Sequence, residues 1–196
     1  MFPERIETDR LMLEQLTMDD LFEVYKHANY EAEAIDEITR YVTWSPHRSL
    51  KETREMIAQQ EESWDDGDGA TFAIRPKETE ENAGEFGGMA GIHIDWDCCT
   101  AGFGLWLRKP LWGRGYSAER AAALFDLAFE RLDLDLVAVS HDPANEKSEH
   151  AIKKYVESHG GQREGHLRKT IPFQDDSVHD EVRYSITQDE YRVATD

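Results

Sequence analysis

An amphipathic helix preceded by a glycine turn is the feature that most constrains the fold of this chain. Beginning at residue 121, apolar side chains recur at i, i+3, i+4, i+7, i+8 and i+11, which places them on one face of a helix that needs a partner surface. They are Ala121, Leu124, Phe125, Ala128, Phe129 and Leu132. Gly113 and Gly115 precede this helix, and the apolar run at 134–140 predicts a strand after it. A strand, turn, helix and strand in this order indicate an α/β fold.

The rest of the chain alternates between helical and strand-like patterns. Leu11 and Leu13 lie on a ragged first strand, and Thr17 and Ser49 are expected to cap helices. Helices are expected after Thr17 to about 28, at 32–38, from 50 to the turn at 65–69, and at 145–158. Strands are expected at 71–75, 85–95, 102–108, 162–169 and 182–187. A length of 196 residues fits one domain, residues 1–196.

The charge balance of the chain excludes one class of partner. Its net charge is −19, from 41 acidic and 22 basic residues, so it is poorly suited to neutralise the phosphates of nucleic acid. High acidity with few lysines resembles proteins of salt-loving archaea, where salt screens self-repulsion. An ordinary acidic cytosolic protein is the alternative interpretation.

Neither a membrane segment nor a metal site is expected. The amino terminus lacks a signal-peptide pattern and no apolar run approaches the length of a membrane span, so we expect a cytoplasmic protein. Cys98 and Cys99 are adjacent and cannot form a disulfide framework or a metal-ligand spacing. The eight histidines also follow no zinc-binding pattern.

The glycine turn is a candidate anion site. The amides at the start of a helix have no backbone acceptor, and glycine lets phosphate oxygens approach them closely. Arg114 adds a positive charge. A P-loop would need Gly-Lys-Ser or Gly-Lys-Thr, which is missing here. A dinucleotide fingerprint would place its third glycine at Ala118, and it would follow a first strand rather than a hairpin and three helices.

The turn also resembles a known family motif. Trp112-Gly113-Arg114-Gly115-Tyr116-Ser117-Ala118-Glu119 is similar to the Trp-Gly-Lys-Gly-Tyr-Ala-x-Glu pyrophosphate loop of the GNAT superfamily, in the branch that includes ribosomal-protein-alanine N-acetyltransferases. Further segments resemble that branch in the same order along the chain. They are Thr8-Asp9-Arg10-Leu11, the segment 40–46 with Trp44 and Pro46, the strand 101–107, Asn145-Glu146-Lys147-Ser148, and the segment 160–168.

The resemblance implies the GNAT fold: a twisted, mixed, mostly antiparallel sheet flanked by helices and splayed between its fourth and fifth strands. Acetyl-CoA would lie in that gap as the co-substrate, with its pyrophosphate on the amides of Arg114 to Ala118 and its pantetheine arm along the strand at Leu105, Trp106 and Leu107. Asn145 and Ser148 would lie near the coenzyme sulfur.

The resemblance also implies acetyl transfer to a primary amine by direct attack in a ternary complex. Ser148 is carried over as the general acid, or serves only as a helix cap. Tyr155 is the alternative general acid. Its position does not match the family's tyrosine, whether the spacing is counted from Asn145 or from Gly160, and a core role is equally compatible. The branch often places a glutamate base on the fourth strand, where this chain has Gly102. Substitute bases near the cleft are His141 and Asp142, or His93 and Asp95.

The acceptor that the resemblance favours is the α-amine of a protein N-terminus, such as that of a ribosomal protein. Two copies often pair in related proteins, so a homodimer is compatible with the resemblance. The missing carboxylate at Gly102 and the spacing of Tyr155 motivate an alternative, an acyl-CoA-binding module that has lost catalysis.

Overall fold

The computed structural model describes residues 1–173 and 176–195. Within this part of the chain, one mixed sheet runs in the order β1-β2-β3-β4-β5-β6-β8-β7. Its strands are β1 (Arg5–Glu7), β2 (Leu11–Gln15), β3 (Gly69–Pro76), β4 (Gly88–Asp95), β5 (Thr100–Leu107), β6 (Leu136–His141), β7 (Gln162–Pro172) and β8 (Val178–Thr187). Only the β5–β6 pair is parallel, which confirms the expected mixed and mostly antiparallel sheet.

Helices cover both faces of the sheet. They are α1 (Leu21–Ala28), α2 (Ile35–Thr39), α3 (Leu50–Asp66), α4 (Tyr116–Asp126), α5 (Glu146–Ser158) and α6 (Gln188–Thr195). Successive strand residues point to opposite faces. Phe72 therefore packs in one buried cluster with α4, α5 and α6, while Ala73 packs in a second cluster with α1, α2 and α3.

The predicted central helix α4 is present, and so is the cap expected at Ser49 at the start of α3. All six apolar positions predicted for the central helix lie in or against the core, and the helix continues beyond Asp126 as a π-helical turn at Leu127–Arg131, which the spacing did not reveal. The Ser49 hydroxyl accepts a hydrogen bond from the Glu52 amide at 3.3 Å, as expected of a cap.

The sheet opens between β5 and β6, the strands counted as fourth and fifth in the family pattern. They pair only from Thr100 to Gly102 and from Leu136 to Ala138. Beyond these pairs β5 runs on to Leu107 and β6 to His141. The predicted splay is therefore confirmed, and it exposes one backbone edge of β5.

Two parts of the fold differ from expectation. Strands β7 and β8 are longer than predicted, and α6 was not predicted; it buries Tyr191 against Phe125 and Phe129. In the described part of the chain, no helix has both the length and the apolar character needed to cross a membrane.

Candidate active site

The free edge of β5 supplies one wall of the gap. The Arg108 amide donates to the Gly87 carbonyl at 2.8 Å, so the backbone of Arg108 faces β4. Because every second residue of an antiparallel strand bonds to the same partner, the backbone groups of Trp106 and Gly104 also face β4. The backbone groups of Phe103, Leu105 and Leu107 then face the gap. Leu105 and Leu107 thus lie where a bound arm could pair with them, whereas the Trp106 backbone is turned away.

The glycine turn lies at the end of this gap with its amides exposed. Gly113 and Gly115 have φ angles of 75° and 82°, a left-handed conformation that favours glycine. The Ala118 amide donates to the Gly115 carbonyl at 3.1 Å and closes the first helical turn. Among the described residues, no acceptor is recorded for the amides from Gly113 to Ser117. The unpaired amides of the candidate anion site are therefore those from Gly113 to Ser117, because the Ala118 amide already has an acceptor.

A half-buried ion pair between Arg10 and Glu119 fixes the turn to the first two strands. Glu119 accepts hydrogen bonds from the Thr8 hydroxyl and the Arg10 amide, both at 2.6 Å, and from Arg10 Nε at 2.8 Å. Arg10 Nη1 donates in turn to the Arg114 carbonyl at 2.9 Å. This carbonyl is thereby held away from the anion site while the adjacent amides stay exposed. Arg10 also neutralises a carboxylate that would otherwise repel a phosphate.

Two acidic residues of the β3–β4 loop approach the same turn. Arg114 Nη2 donates to Glu81 at 2.5 Å, and the Tyr116 hydroxyl donates to Glu80. Burial, together with the Glu80 carboxylate, raises the pKa of Tyr116. The positive charge that the sequence assigned to phosphate binding is therefore paired with a carboxylate in this structure.

The start of α5 closes the mouth of the gap. The Asn145 side chain caps α5 by accepting from the Ser148 amide at 3.2 Å. Lys147 Nζ lies 4.4 Å from the centroid of the Trp112 ring, and Trp112 Nε1 donates to the Leu107 carbonyl at 2.8 Å. Trp112 thus joins α5, the glycine turn and the end of β5. The candidate residues Trp112, Asn145 and Ser148 are brought together at one mouth.

His141 lies at the end of β6, buried and with one ring nitrogen free. Its Nδ1 donates to the Asp142 carbonyl at 2.9 Å, and Nε2 has no hydrogen-bond partner in the described structure. By alternation it shares the α4–α5 face with Val139. Asp142 is occupied, since its carboxylate accepts from the Ala144 amide and pairs with His179, each at 2.8 Å.

Tyr155 lies deeper than Ser148 on the same face of α5. Ser148 is half-buried, whereas Tyr155 is 2% exposed and packs beside Phe125. Burial raises the pKa of Tyr155 to about 12, although the Arg120 guanidinium acts in the opposite direction. A phenol in this position is a weaker acid than usual, which favours a core role for Tyr155.

Strand β5 itself carries no carboxylate on its opposite face. Gly102, Gly104 and Trp106 share this face by alternation, and Trp106 packs against Trp44 with ring centroids 5.5 Å apart. A Cβ added to Gly102 would come no closer than 4.0 Å to Ala138. The position that often carries glutamate in the family is therefore open. His93 pairs with Gly102 across β4 and shares this face, whereas Asp95 accepts from Cys98 in a turn.

Some residues of the site were missed in the sequence. Arg120 lies on the buried face of α4. The sequence sign of this residue was a charged side chain next to the apolar positions of the helix. The Arg10–Glu119 tie joins two motifs that the sequence identified only separately. Across the described residues, no group of three or more histidine, cysteine, aspartate or glutamate side chains could hold a metal ion.

Comparisons with known proteins agree with this geometry. The model of the family described as acetyltransferase (GNAT) domain matches residues 10–155. The uncharacterized N-acetyltransferase p20 of Bacillus licheniformis is 28% identical over 165 residues, covering 84% of this chain and 86% of that protein.

Two solved structures from Vibrio cholerae share the fold. One is provisionally named a ribosomal-protein-serine acetyltransferase (21% identity, 95% and 99% coverage of this and that chain, TM-score 0.74). The other is spermidine N-acetyltransferase in complex with CoA and spermine (20% identity, 93% and 98% coverage, TM-score 0.72). The chain therefore belongs to the acetyltransferase (GNAT) domain family and is an acetyl-CoA-dependent acyltransferase.

Proposed function

We propose that this protein moves the acetyl group of acetyl-CoA to a primary amine by direct attack within a ternary complex. The observation that carries the proposal is the convergence of two free backbone surfaces on one gap. The exposed amides from Gly113 to Ser117 suit the pyrophosphate, and the unpaired edge at Leu105 and Leu107 suits the amide-bearing arm. Among the described residues, the turn amides have no acceptor and Leu105 has no strand partner on the gap side, whereas the Leu107 carbonyl already accepts from Trp112 Nε1.

The amine attacks the acetyl carbonyl of the bound thioester. A C–N bond forms and the C–S bond breaks, the amine loses one proton, and the departing thiolate gains one. Ser148, half-buried at the mouth of the gap, is the proposed donor to the sulfur. His141 is the proposed proton acceptor, because its Nε2 is free at the end of β6. A water chain would connect it to the amine if contact is not direct.

The acceptor we favour is the α-amine of a protein N-terminus. Glu33 and Asp36 are exposed around α2 and suit a cationic substrate, whereas Glu37 of the same helix is already paired with Lys109. Trp44 is partly buried and packs on the buried Trp106 of β5, and its ring is the one of the two that an ammonium group could reach. Relatives named for ribosomal-protein and spermidine acetylation share this fold, and the two acceptor types can be separated by assay.

The test follows thiol release from acetyl-CoA with a panel of amines. The panel contains peptides beginning with serine or alanine, the same peptides with blocked N-termini and free lysines, and spermidine. We expect release with free N-termini and none with the blocked peptides. Release only with spermidine or with lysine would overturn the proposed acceptor class. CoA binding without release from any amine would instead support the alternative of a binding module.

A matched pair of variants links turnover to the proposed acid. Ser148→Ala removes the hydroxyl, while Ser158→Ala removes another α5 hydroxyl, one that donates to the Tyr155 carbonyl far from the mouth. We expect a loss of turnover only in the first variant. Equal activity in both would remove Ser148 from the mechanism.

We also propose that the protein works at high salt, because a net charge of −19 strongly disfavours compaction when unscreened. The same assay at low and at multimolar salt tests this. We expect both the melting temperature and turnover to rise with salt, and a fall in both would refute the proposal.

A further inference from the structure

The most unusual charge in the described structure is a buried arginine without a counter-charge. Arg120 on α4 is 2% exposed, and its Nε and Nη1 atoms have no hydrogen-bond partner among the described residues. Among the described residues no carboxylate pairs with it; the Tyr155 hydroxyl is its polar neighbour and interacts with the guanidinium through charge and hydrogen bonding, which leaves Nε and Nη1 unsatisfied. A buried, unpaired guanidinium destabilises a fold unless other groups satisfy it.

The surroundings of Arg120 place it on the wall of the gap. Its guanidinium carbon lies 5.8 Å from the centroid of the Phe103 ring. Phe103 belongs to the stretch of β5 that has lost its β6 partner, and Tyr155 belongs to α5. The guanidinium is therefore enclosed by α4, α5 and the unpaired part of β5, the three elements that would flank a bound coenzyme arm.

The distance from the glycine turn indicates which chemical group could reach it. Arg120 follows Gly115 by five residues, a rise of about 7.5 Å along the helix. Phosphate groups bound at the amides of the turn would therefore be too far away to contact the Arg120 guanidinium. Beyond its phosphates, the arm of coenzyme A carries a hydroxyl, two amides and a thiol. The two amide carbonyls are its strongest acceptors for a guanidinium, and the amide N–H groups can donate to carbonyls of the β5 edge.

We propose that Arg120 is a binding residue for the carbonyl oxygens of the pantetheine arm, and that the arm completes hydrogen bonds which the free protein leaves unmade. This rests on the proposed function, since it takes the coenzyme to lie in the gap. The residue then favours ligand binding over the stability of the free fold, a trade-off common at functional sites.

Binding of three ligands to Arg120→Met tests the contact. The ligands are CoA, acetyl-CoA and 3′-phosphoadenosine 5′-diphosphate, which keeps the phosphates and lacks the arm. We expect the Kd of CoA and acetyl-CoA to rise about tenfold or more, and that of the nucleotide to change less than about twofold. An equal loss for the nucleotide, a loss for acetyl-CoA alone, or no loss at all would overturn the assignment to the arm.

Stability provides a readout that a purely structural arginine would not share. Replacing an unpaired buried charge by an apolar side chain of similar length should raise the melting temperature of the free protein by about 2–6 °C. The upward shift produced by saturating CoA should shrink in the variant. A lower melting temperature of the free variant would show that Arg120 is structural.

Two further variants complete the test. Arg120→Lys keeps the charge but not the guanidinium donors, so we expect weaker CoA binding without a gain in stability. Unchanged CoA binding in this variant would overturn the proposal, even if the methionine variant did not fold. Arg54→Met, at an exposed position on α3 with no recorded contact, serves as the control. If the unaltered protein bound none of the three ligands, the proposed function itself would fail.

Discussion

The tie between Arg10 and Glu119 allows a quantitative prediction. The two side chains are 38% and 15% exposed, and Arg10 Nη2 lies 2.8 Å from Glu119 Oε2. An exposed ion pair contributes about 0.2–1 kcal/mol, and a charged hydrogen bond about 1.5–3 kcal/mol. For this half-buried pair we expect a coupling energy of about 1–2 kcal/mol. Glu119→Ala alone should cost about 2–4 kcal/mol, because it also removes the acceptor of the Thr8 hydroxyl and the Arg10 amide.

A double-mutant cycle measures the coupling directly. Urea unfolding at neutral pH would compare the unaltered protein with Arg10→Ala, Glu119→Ala and the double variant. Each kcal/mol should appear as about 2–4 °C in a parallel thermal scan. Costs that add within about 0.5 kcal/mol would show that the pair is not coupled and would refute the reasoning. Glu130→Gln, exposed beyond the end of α4, is the control.

The pH dependence of this coupling has a defined sign. Burial alone would raise the pKa of Glu119, but hydrogen bonds from Thr8 and Arg10 outweigh it, so the folded pKa lies below the ordinary value of 4.5. The stabilisation is therefore complete above about pH 4.5 and is lost as the pH falls through the lower folded value. The difference in stability between the unaltered protein and Glu119→Ala should be constant at neutral pH and shrink in acid; a constant difference down to the acid limit would contradict this.

Three further predictions concern the same site. Gly115→Ala should cost about 1–2 kcal/mol and weaken CoA binding, because φ is 82° there, whereas Gly165→Ala, with open space around it, should change neither; equal effects would contradict the role of the turn. Ser148→Ala should lower kcat about a hundredfold with little change in KM, whereas Tyr155→Phe should change kcat less than about threefold, and steady-state kinetics showing the reverse would make Tyr155 the acid. Glu81→Gln should tighten CoA binding about two- to threefold at low salt by freeing Arg114, and weaker binding in titration calorimetry would show that Glu81 supports the site.

Local sequence patterns predicted the elements that lie next to the gap. The spacing from Ala121 to Leu132 located α4, and Asn145 located the start of α5. Glycines before a helix predicted the unpaired amides of the turn, because the free amides of a first helical turn need no tertiary information. The family resemblance supplied the splay, which no periodicity indicates.

Features that depend on packing between distant segments were not predictable in this way. The pairing of Glu119 with Arg10 spans 109 residues, and the orphaned donors of Arg120 become visible only when α5 and β5 are placed around it. Which β5 backbone groups face the gap could be determined only from the register between β4 and β5. In that register the backbone groups of Trp106 face β4 rather than the gap. For Tyr155, the burial seen in the structure favours a core role, which spacing alone left open.

The most direct test of the proposed site is a crystal structure of the protein grown with CoA. We expect the pyrophosphate to accept hydrogen bonds from amides between Gly113 and Ser117, and the pantetheine arm to lie between β5 and β6 against Leu105 and Leu107. Coenzyme bound elsewhere, with the gap between β5 and β6 empty, would contradict the proposed site.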